Sequence, residues 1–254
     1  MGGQVVGSAN EPTTKVASGV WRPSYIAARI SSGLAFPLGA DPSFSSVVAL
    51  YHFNVPNGTG GIVDWSSKSH DASQVLAGLT STAKFGTAAG YVNGSHYISA
   101  ASHADFNVGT GDFTLEGWFY FASLGVNCIA LDQRSNEPQV RPMVYVTTAG
   151  SLRYYVNGAD RITGSNSQVT TATYHHIAVS RASGSTKLFL NGTQQGSTYT
   201  DSNTYTQGPL NVGAGVAPAV SSGMTGAIDE IRFTVGVGRY TANFTAPTTP
   251  FPDY

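Results

Sequence analysis

The sequence predicts an all-β protein whose strands pack as a sandwich or a barrel, and three observations support this prediction. The 254 residues include 30 Gly, 13 Tyr, 12 Phe and 12 Pro but only 11% charged residues, a composition that favours strands joined by tight turns. From residue 46 onward, apolar and polar residues alternate with the period of two that half-buried strands require. Consecutive short strands of this kind must close into paired sheets to bury their apolar faces.

Residues 1–45 differ from the rest and are predicted to form an N-terminal arm, with the β domain spanning residues 46–254. Gly, Ser and Pro interrupt the arm, and its apolar residues occur in short clumps. Residues 20–30 are expected to form one or two helical turns, with Pro23 in the first turn, where a missing N–H costs nothing. The arm's large apolar side chains either pack on the chain's own domain or anchor it to another subunit, because together they would form an unusually large exposed patch. These anchoring candidates are Trp21, Tyr25, Ile26 and Phe36.

The clearest strand lies between residues 113 and 121. Its period of two places four apolar side chains on one face, and Trp118 and Tyr120 on the other. The four are Phe113, Leu115, Phe119 and Phe121. We therefore expect this strand to be buried on both faces.

Three strand-turn-strand units follow. Residues 152–156 lead into Asn157-Gly158 and residues 187–190 into Asn191-Gly192, and Asn-Gly supplies the two positive φ angles of a two-residue hairpin turn. Residues 176–181 are joined through residues 182–185 to the strand that begins at Lys187. The tail, residues 243–252, is too rich in proline for a central strand and is expected to run as an extended strap along the surface.

Charge and cysteine content exclude several classes of protein. The formal net charge is −1 and the 13 Lys and Arg residues are dispersed, so we expect no nucleic-acid partner. Cys128 is the only cysteine, which rules out an intrachain disulfide and favours a buried thiol. No apolar stretch approaches the length of a membrane-spanning helix, and the first residues lack the pattern of a signal peptide. Membrane insertion is therefore not expected.

An ordered set of short motifs resembles the laminin G-like domains of the concanavalin A-like lectin class. The resemblance spans about residues 47–236 and implies a two-sheet antiparallel jelly-roll sandwich with one concave sheet. The motifs are Ala49–Phe53, Val63–Ser67, Lys84–Gly86, Tyr97–Ser99, Gly111–Trp118, Tyr174–Arg181, Leu188–Gly192 and Gly226–Arg232.

Residues 238–247 are similar to the ending of laminin G-like domains in structural proteins of tailed bacteriophages. Residues 19–21 and 35–37 of the arm also resemble phage virion proteins. The resemblance implies a non-enzymatic virion subunit, either a capsid decoration or a tail-associated protein, assembled in the cytoplasm of a bacterial host. Its partners would be other virion proteins, and virion symmetry favours a homo-oligomer, a dimer or a trimer. The arm would anchor the subunit and the sandwich would project.

A glycoside hydrolase is disfavoured because the sequence lacks the required acids. Glucanases of this superfamily carry a Glu, an Asp and a second Glu on one strand, and hydrolysis needs two carboxylates flanking one bond. The nearest match is Asp229-Glu230, whose side chains are expected to point to opposite faces of a strand. Glu116 stands alone on an aromatic strand. No Gly-x-Ser-x-Gly nucleophile elbow is present, so we predict no enzymatic activity.

The alternative function is that of a lectin recognising glycans of a bacterial surface. Sugar binding needs exposed aromatic rings beside planar polar groups, although partial burial in a sheet is the commoner fate of such rings. The candidate rings are Trp65, Tyr91, Tyr145, Tyr155, Tyr199 and Tyr205.

Calcium is the one cofactor that the resemblance allows, because some laminin G-like domains bind it through Asp residues and carbonyl groups of rim loops. The main candidates are Asp64, Asp71 and Asp132, with Asp105, Asp160 and Asp201 as further loop acids. They form no acidic cluster in the sequence, so capping of turns is the alternative role for these residues.

Overall fold

The computed structural model describes residues 40–54, 61–75, 78–134, 140–215 and 222–254. The predicted helical turns of residues 20–30 lie outside these ranges, as do the anchoring candidates Trp21, Tyr25, Ile26 and Phe36. No helix in the described ranges is long and apolar enough to cross a membrane.

The described residues form two antiparallel sheets of eight strands each, which confirms the predicted all-β sandwich. The strands of the first sheet are β1 (Val47–Tyr51), β4 (Gly78–Thr80), β5 (Ala89–Asn93), β7 (Phe113–Phe121), β12 (Tyr174–Ala182), β13 (Ser185–Leu190), β14 (Thr193–Thr200) and β16 (Thr225–Val235). The strands of the second sheet are β2 (Gly61–Ile62), β3 (Ala72–Val75), β6 (Tyr97–Ala100), β8 (Cys128–Asp132), β9 (Met143–Val146), β10 (Leu152–Val156), β11 (Ala159–Thr163) and β15 (Leu210–Val212). Two short 3-10 helices, Phe44–Ser46 and Ala104–Phe106, complete the described elements.

The strand order shows that distant parts of the chain pair with one another. The first sheet runs β14-β13-β12-β7-β16-β5-β4, and β1 pairs with the second half of β16, beyond the half that pairs with β5. The second sheet runs β11-β10-β9-β8-β15-β6-β3-β2. β16 therefore lies in the middle of the first sheet although it is the last strand of the chain.

The predicted hairpins are confirmed. Asn157 and Gly158 join β10 to β11 with φ angles of 50° and 78°, and Asn191 and Gly192 join β13 to β14 with 50° and 82°. Both pairs thus have the positive φ angles of the turn that Asn-Gly favours. The turn between β12 and β13 is also two residues long, at positions 183 and 184.

The core lies between the sheets, and β7 shows how the sequence builds it. Phe113, Leu115, Phe119 and Phe121 belong to the core cluster, as the period of two predicts. Trp118 lies on the opposite face of the strand and is also buried, so the prediction of a strand buried on both faces is confirmed.

The outer face of the first sheet is covered by the end of the chain. Residues 236–254 form neither helix nor strand, and we call them the strap. The strap is bonded to β7 through Arg239 N–H, which donates to Thr114 Oγ1, and to the β13–β14 turn through Phe244 N–H, which donates to the carbonyl of Gly192. Its last residue accepts a hydrogen bond from the N–H of Asp41 at 3.0 Å, so residues 40–45 of the predicted arm also pack on the sandwich.

The central position of β16 gives a test of the core. Phe233 is fully buried and its ring lies 5.6 Å from that of Phe106. We expect Phe233→Ala to lower the free energy of unfolding in urea by about 3–5 kcal/mol, because the substitution leaves a cavity. The control Leu79→Ala removes a side chain that is 42% exposed and should change stability by less than about 0.5 kcal/mol. Equal effects of the two substitutions would contradict this arrangement of the core.

Candidate functional site

The outer face of the first sheet holds a buried set of charged and polar side chains, which we call the Glu116 cluster. Glu116 on β7 lies directly opposite Arg232 on β16, and Arg232 Nε donates to Glu116 Oε1 at 2.9 Å. Glu116 Oε2 lies 3.1 Å from His176 Nε2 and accepts from the hydroxyl of Tyr240 in the strap at 2.8 Å. Both oxygens of this fully buried carboxylate are therefore engaged.

Asp41 extends the cluster to the start of the described chain. Its carboxylate accepts from Arg232 Nη1 at 3.2 Å and from both terminal nitrogens of Arg239, at 3.0 and 2.7 Å. Burial alone would raise the pKa of Glu116, but the Arg232 charge and the His176 hydrogen bond outweigh it and lower the pKa to about 2. The cluster thus holds Glu116 ionised although it is out of contact with water.

Asp229 and Glu230 lie beside this cluster, and the prediction that they point to opposite faces is wrong. A bulge in β16 places Glu230 and Ile231 together opposite Gly117 of β7, and Glu230 has a φ of 52°. Ile231 joins the core, whereas Asp229 and Glu230 both turn outward. The strict alternation on which the prediction relied holds only where the register is continuous.

These two acids are also held by hydrogen bonds. Asp229 Oδ2 accepts from the N–H groups of Lys84 and Phe85 at 2.8 and 3.0 Å. Glu230 contacts His52 Nδ1 at 2.8 Å and accepts from the N–H of Phe251 in the strap at 2.8 Å. Burial, together with the charge of Glu230, holds the pKa of Asp229 well above its usual range. Glu116, Asp229 and Glu230 are fully buried, and the strap contacts Glu116 and Glu230, so a polysaccharide has no route to these three carboxylates in this conformation.

The outer face of the second sheet differs, because it carries half-buried aromatic rings between ion pairs. Tyr145 on β9 and Tyr155 on β10 occupy diagonal positions of the two paired strands, since Arg153 is the direct partner of Tyr145. We call these two rings, together with Arg134, Arg153 and Asp160, the tyrosine patch. The patch lies on the side of its sheet opposite the core, into which Val144, Tyr154 and Val156 point.

Hydrogen bonds fix the polar members of the tyrosine patch. The Tyr145 hydroxyl donates to both oxygens of Asp160, at 3.0 and 2.9 Å, and Arg153 Nη1 lies 3.4 Å from the same carboxylate. The guanidinium of Arg134 lies 5.7 Å from the centre of the Tyr155 ring. Burial, with the hydrogen bond to Asp160, raises the pKa of Tyr145 to about 12, so its hydroxyl stays protonated at neutral pH. Planar groups and rings held in this way are suited to stacking on a sugar and bonding its hydroxyls.

The other four predicted rings lie apart from this patch. Tyr205 is 1% exposed and its hydroxyl donates to Asp201, so it offers no ring to a sugar and that prediction is wrong. Tyr199 is half-buried against the core. Trp65 is half-buried against the small cluster of β1 and the strap. Tyr91 is 37% exposed but stands on β5 in the first sheet.

The predicted calcium ligands are mostly occupied by other donors. Asp64 accepts four hydrogen bonds, from the N–H groups of Leu50, Ser66 and His70 and from the Ser66 hydroxyl. Asp132 is bonded through both oxygens to the Arg134 side chain. Asp71 is exposed and accepts from the N–H of Asp64. Asp64 and Asp132 therefore stabilise turns, the alternative role that the sequence allowed for these acids.

Two members of the tyrosine patch were missed by the sequence analysis. Arg153 lies two residues before Tyr155 in β10, so the period of two already placed both side chains on one face. Arg134 follows the end of β8 in a loop, and no local pattern connects it with Tyr155. Asp160 appeared only among the calcium candidates, since its contact with Tyr145 spans three strands.

Comparison with known proteins agrees with this architecture. Residues 92–235, more than half of the chain, match the family model described as the Concanavalin A-like lectin/glucanases superfamily, in its laminin G form. The chain belongs to this superfamily, which confirms the family resemblance found in the sequence. No match was found among curated proteins.

Solved structures with the same fold include binding domains and parts of glycosidases. The binding domain of Paraclostridial Mosquitocidal Protein 1 matches with a TM-score of 0.59 and 12% identity over 75% of this chain and 49% of that one. Trypanosoma rangeli sialidase in complex with sialic acid matches with a TM-score of 0.58 and 11% identity over 83% of this chain and 36% of that one. A third match is domain 4 of AbnA, a GH43 extracellular arabinanase from Geobacillus stearothermophilus, in complex with arabinotriose. Its TM-score is 0.50, with 16% identity over 75% of this chain and 93% of that one. The chain spans half or less of the first two proteins, and these identities show a shared fold alone.

The Glu116 cluster predicts a specific dependence of stability on pH. The pKa of Glu116 falls from 4.5 to about 2 on folding, so its contribution is present above pH 4.5 and is lost as the pH falls towards 2. We expect Glu116→Gln to destabilise the protein most at neutral pH. The difference in the free energy of unfolding between variant and wild type, measured in urea, should be about 3 kcal/mol smaller at pH 2 than at pH 6, at about 1.4 kcal/mol per pKa unit. A difference that is independent of pH would contradict the assigned ionisation.

Proposed function

We propose that this chain is a non-catalytic carbohydrate-binding domain whose ligand lies on the tyrosine patch. The observation that supports this most directly is the pair of half-buried rings, Tyr145 and Tyr155, on adjacent strands of the sheet that the strap does not cover. Arg153 and Asp160 lie beside the rings as a donor and an acceptor for hydroxyl groups. A sugar has both kinds of group to satisfy, and its apolar face packs on an aromatic ring.

The superfamily supports a sugar as the class of ligand. Domain 4 of the arabinanase was solved with arabinotriose and is matched over 93% of its length, so the shared fold there makes up nearly the whole domain. The sialidase was solved with sialic acid. The sugars that those proteins bind are properties of those proteins. For this chain, the two matches favour glycans as the first ligands to test.

The absence of catalysis is proposed on separate grounds. A glycosidase needs two carboxylates that reach one glycosidic bond from opposite sides. In the described residues, Glu116, Asp229 and Glu230 on the outer face of the first sheet are fully buried and hydrogen-bonded, and the strap contacts Glu116 and Glu230. The acid of the tyrosine patch, Asp160, is bonded to Tyr145 and Arg153. We therefore expect recognition of a glycan without hydrolysis.

The proposal is tested with a glycan array followed by calorimetry on the best ligand. Tyr155→Ala should weaken binding about tenfold, which corresponds to about 1.4 kcal/mol, through loss of the stacking surface. Tyr145→Phe keeps the ring but removes the hydroxyl that holds Asp160, and should weaken binding less. The control Tyr91→Ala removes an exposed ring on the other sheet and should leave the affinity unchanged. Silence across the array, with and without calcium, would reject the proposal.

We further propose that the domain belongs to a bacteriophage virion, as a capsid decoration or a tail-associated subunit assembled in the bacterial cytoplasm. This proposal rests on the likeness of residues 238–247 to phage laminin G-like endings and on the aromatic arm. Other virion proteins would be its partners, and a homo-oligomer would fit the symmetry of the particle. A glycan-binding face on a particle would serve attachment to the surface of a bacterial host. Calcium is also proposed as a cofactor of the domain.

The virion proposal is tested by deleting residues 1–39. This deletion ends before Asp41, whose carboxylate is bonded to Arg232 and Arg239, so the sandwich should keep its stability. We expect the full chain to co-purify with intact particles and the deleted chain to be lost from them at least tenfold. Circular dichroism of the deleted chain checks that the fold is retained. A folded, deleted chain that still assembles would contradict anchoring by the arm, and absence of the full chain from particles would contradict the virion role.

A further inference from the structure

Two histidines and an aspartate from two loops converge at one point of the second sheet's border. His70 Nε2 lies 2.8 Å from Asp105 Oδ2, and His103 Nδ1 lies 3.3 Å from the same oxygen. The centres of the two imidazole rings lie 4.1 Å apart, with the ring planes inclined at 43°. One ligand atom from each of the three residues lies within 4.8 Å of the others. Neither the tyrosine patch nor the Glu116 cluster includes these residues.

The scaffold holds His70 firmly. Its N–H donates to Asp64 Oδ2 at 2.7 Å, and its carbonyl accepts from the hydroxyl of the fully buried Tyr51 at 2.8 Å. Its ring packs edge-on against Phe106, which belongs to the core. A side chain fixed on both sides of its backbone and along its ring has little conformational freedom left to lose when it binds a ligand.

The other two residues are held locally and remain open to solvent. His103 and Asp105 flank the start of the 3-10 helix Ala104–Phe106, and His103 Nδ1 accepts from the N–H of Asp105 at 3.1 Å. The side chains of His103 and Asp105 are 50% and 34% exposed, against 14% for His70. Water therefore reaches the point between the three side chains from one side.

The chemistry of this set indicates which ion it suits. Two imidazole nitrogens and one carboxylate oxygen are ligands that Zn²⁺ accepts, whereas Ca²⁺ is bound by oxygen atoms. Around a tetrahedral Zn²⁺ with bonds of about 2.0–2.1 Å, neighbouring ligand atoms lie about 3.4 Å apart. The His103–Asp105 separation of 3.3 Å already fits, and His70 and Asp105 need to part by roughly half an ångström.

We propose that His70, His103 and Asp105 bind a divalent transition-metal ion, Zn²⁺ in the first place, with water as the fourth ligand. The ion replaces the direct hydrogen bond between His70 and Asp105, and it takes the His103 Nδ1 lone pair that otherwise accepts from the N–H of Asp105. It ties the loop before β3 to the loop after β6. It acts as a structural clip at this border of the sandwich. This site is separate from the calcium proposal, because its donors are mainly nitrogen, and it does not depend on the glycan-binding proposal.

Calorimetric titration of the full chain with ZnCl₂ tests the site directly. The protein should be prepared without a polyhistidine tag and freed of metal by a chelator, since a tag would bind the ion itself. We expect one Zn²⁺ per chain with a Kd of about 10 µM or tighter, together with a higher Tm, because an ion that binds only the folded state stabilises it. A millimolar excess of Ca²⁺ should not compete.

Two variants and a control locate the binding. His103→Ala and Asp105→Asn alter the exposed members and should each weaken Zn²⁺ binding at least tenfold, while thermal melts in the absence of metal check that the variants fold. His96→Ala removes a histidine that is bonded to Asn93 outside the set, and should bind like the wild type. Lack of saturation up to about 1 mM Zn²⁺, or wild-type affinity in both site variants, would overturn the proposal. Equal loss in all three variants would also overturn it.

Discussion

The buried pair of Glu116 and Arg232 is the constraint to which the rest of the structure adjusts. Ile228 faces the core, so strict alternation along β16 would also point Arg232, four residues later, into the apolar core. The bulge at Glu230 and Ile231 restores Arg232 to the outer face, opposite Glu116. Removing two charges from water costs several kcal/mol per ion unless their hydrogen-bonding groups are paired. The remaining partners come from Asp41 and the strap, so the two ends of the described chain are held on the sheet because the pair requires them.

This requirement gives the two outer faces different surfaces. On the first sheet, both oxygens of Glu116 are engaged by Arg232, His176 and Tyr240, and the surface is closed by aromatic side chains of the strap, among them Phe244 and Phe251, whose rings both lie near that of His176. On the second sheet, the Arg153–Asp160 pair is partly exposed beside Tyr145 and Tyr155, whose rings are only half-buried. In a β-sandwich, the large flat surfaces are the two outer faces of the sheets. In the described residues the strap closes the first of these faces, which is why the proposed recognition of a ligand falls on the second.

Much of the fold was predictable because it depends on local patterns. The alternation in β7 and the Asn-Gly pairs at 157–158 and 191–192 specify a strand and two hairpins without knowledge of the rest of the chain. The bulge in β16 was not predictable, because it follows from the register against β7, more than a hundred residues earlier in the chain. The candidate sites differ in the same way between local patterns and contacts of distant residues. Tyr145 and Tyr155 were found by residue type, together with four rings that the fold places elsewhere. His70 was not connected with Asp105, since only the pairing of β3 with β6 brings their loops together.

The rigidity of the sandwich bears on how the tyrosine patch can bind. Val144, Tyr154 and Val156 are chain neighbours of the two patch tyrosines and point into the core, where all three are fully buried. The backbone under both rings is therefore fixed by packing on its inner side. A tyrosine has only two side-chain torsions, and here the hydroxyl of Tyr145 is also tied to Asp160. Binding to such a surface loses little conformational entropy, which leaves more of the stacking and hydrogen-bond energy for affinity. Under the proposed function, the same reasoning allows a sheet face to bind a ligand that is itself flat on one side and polar at its edges.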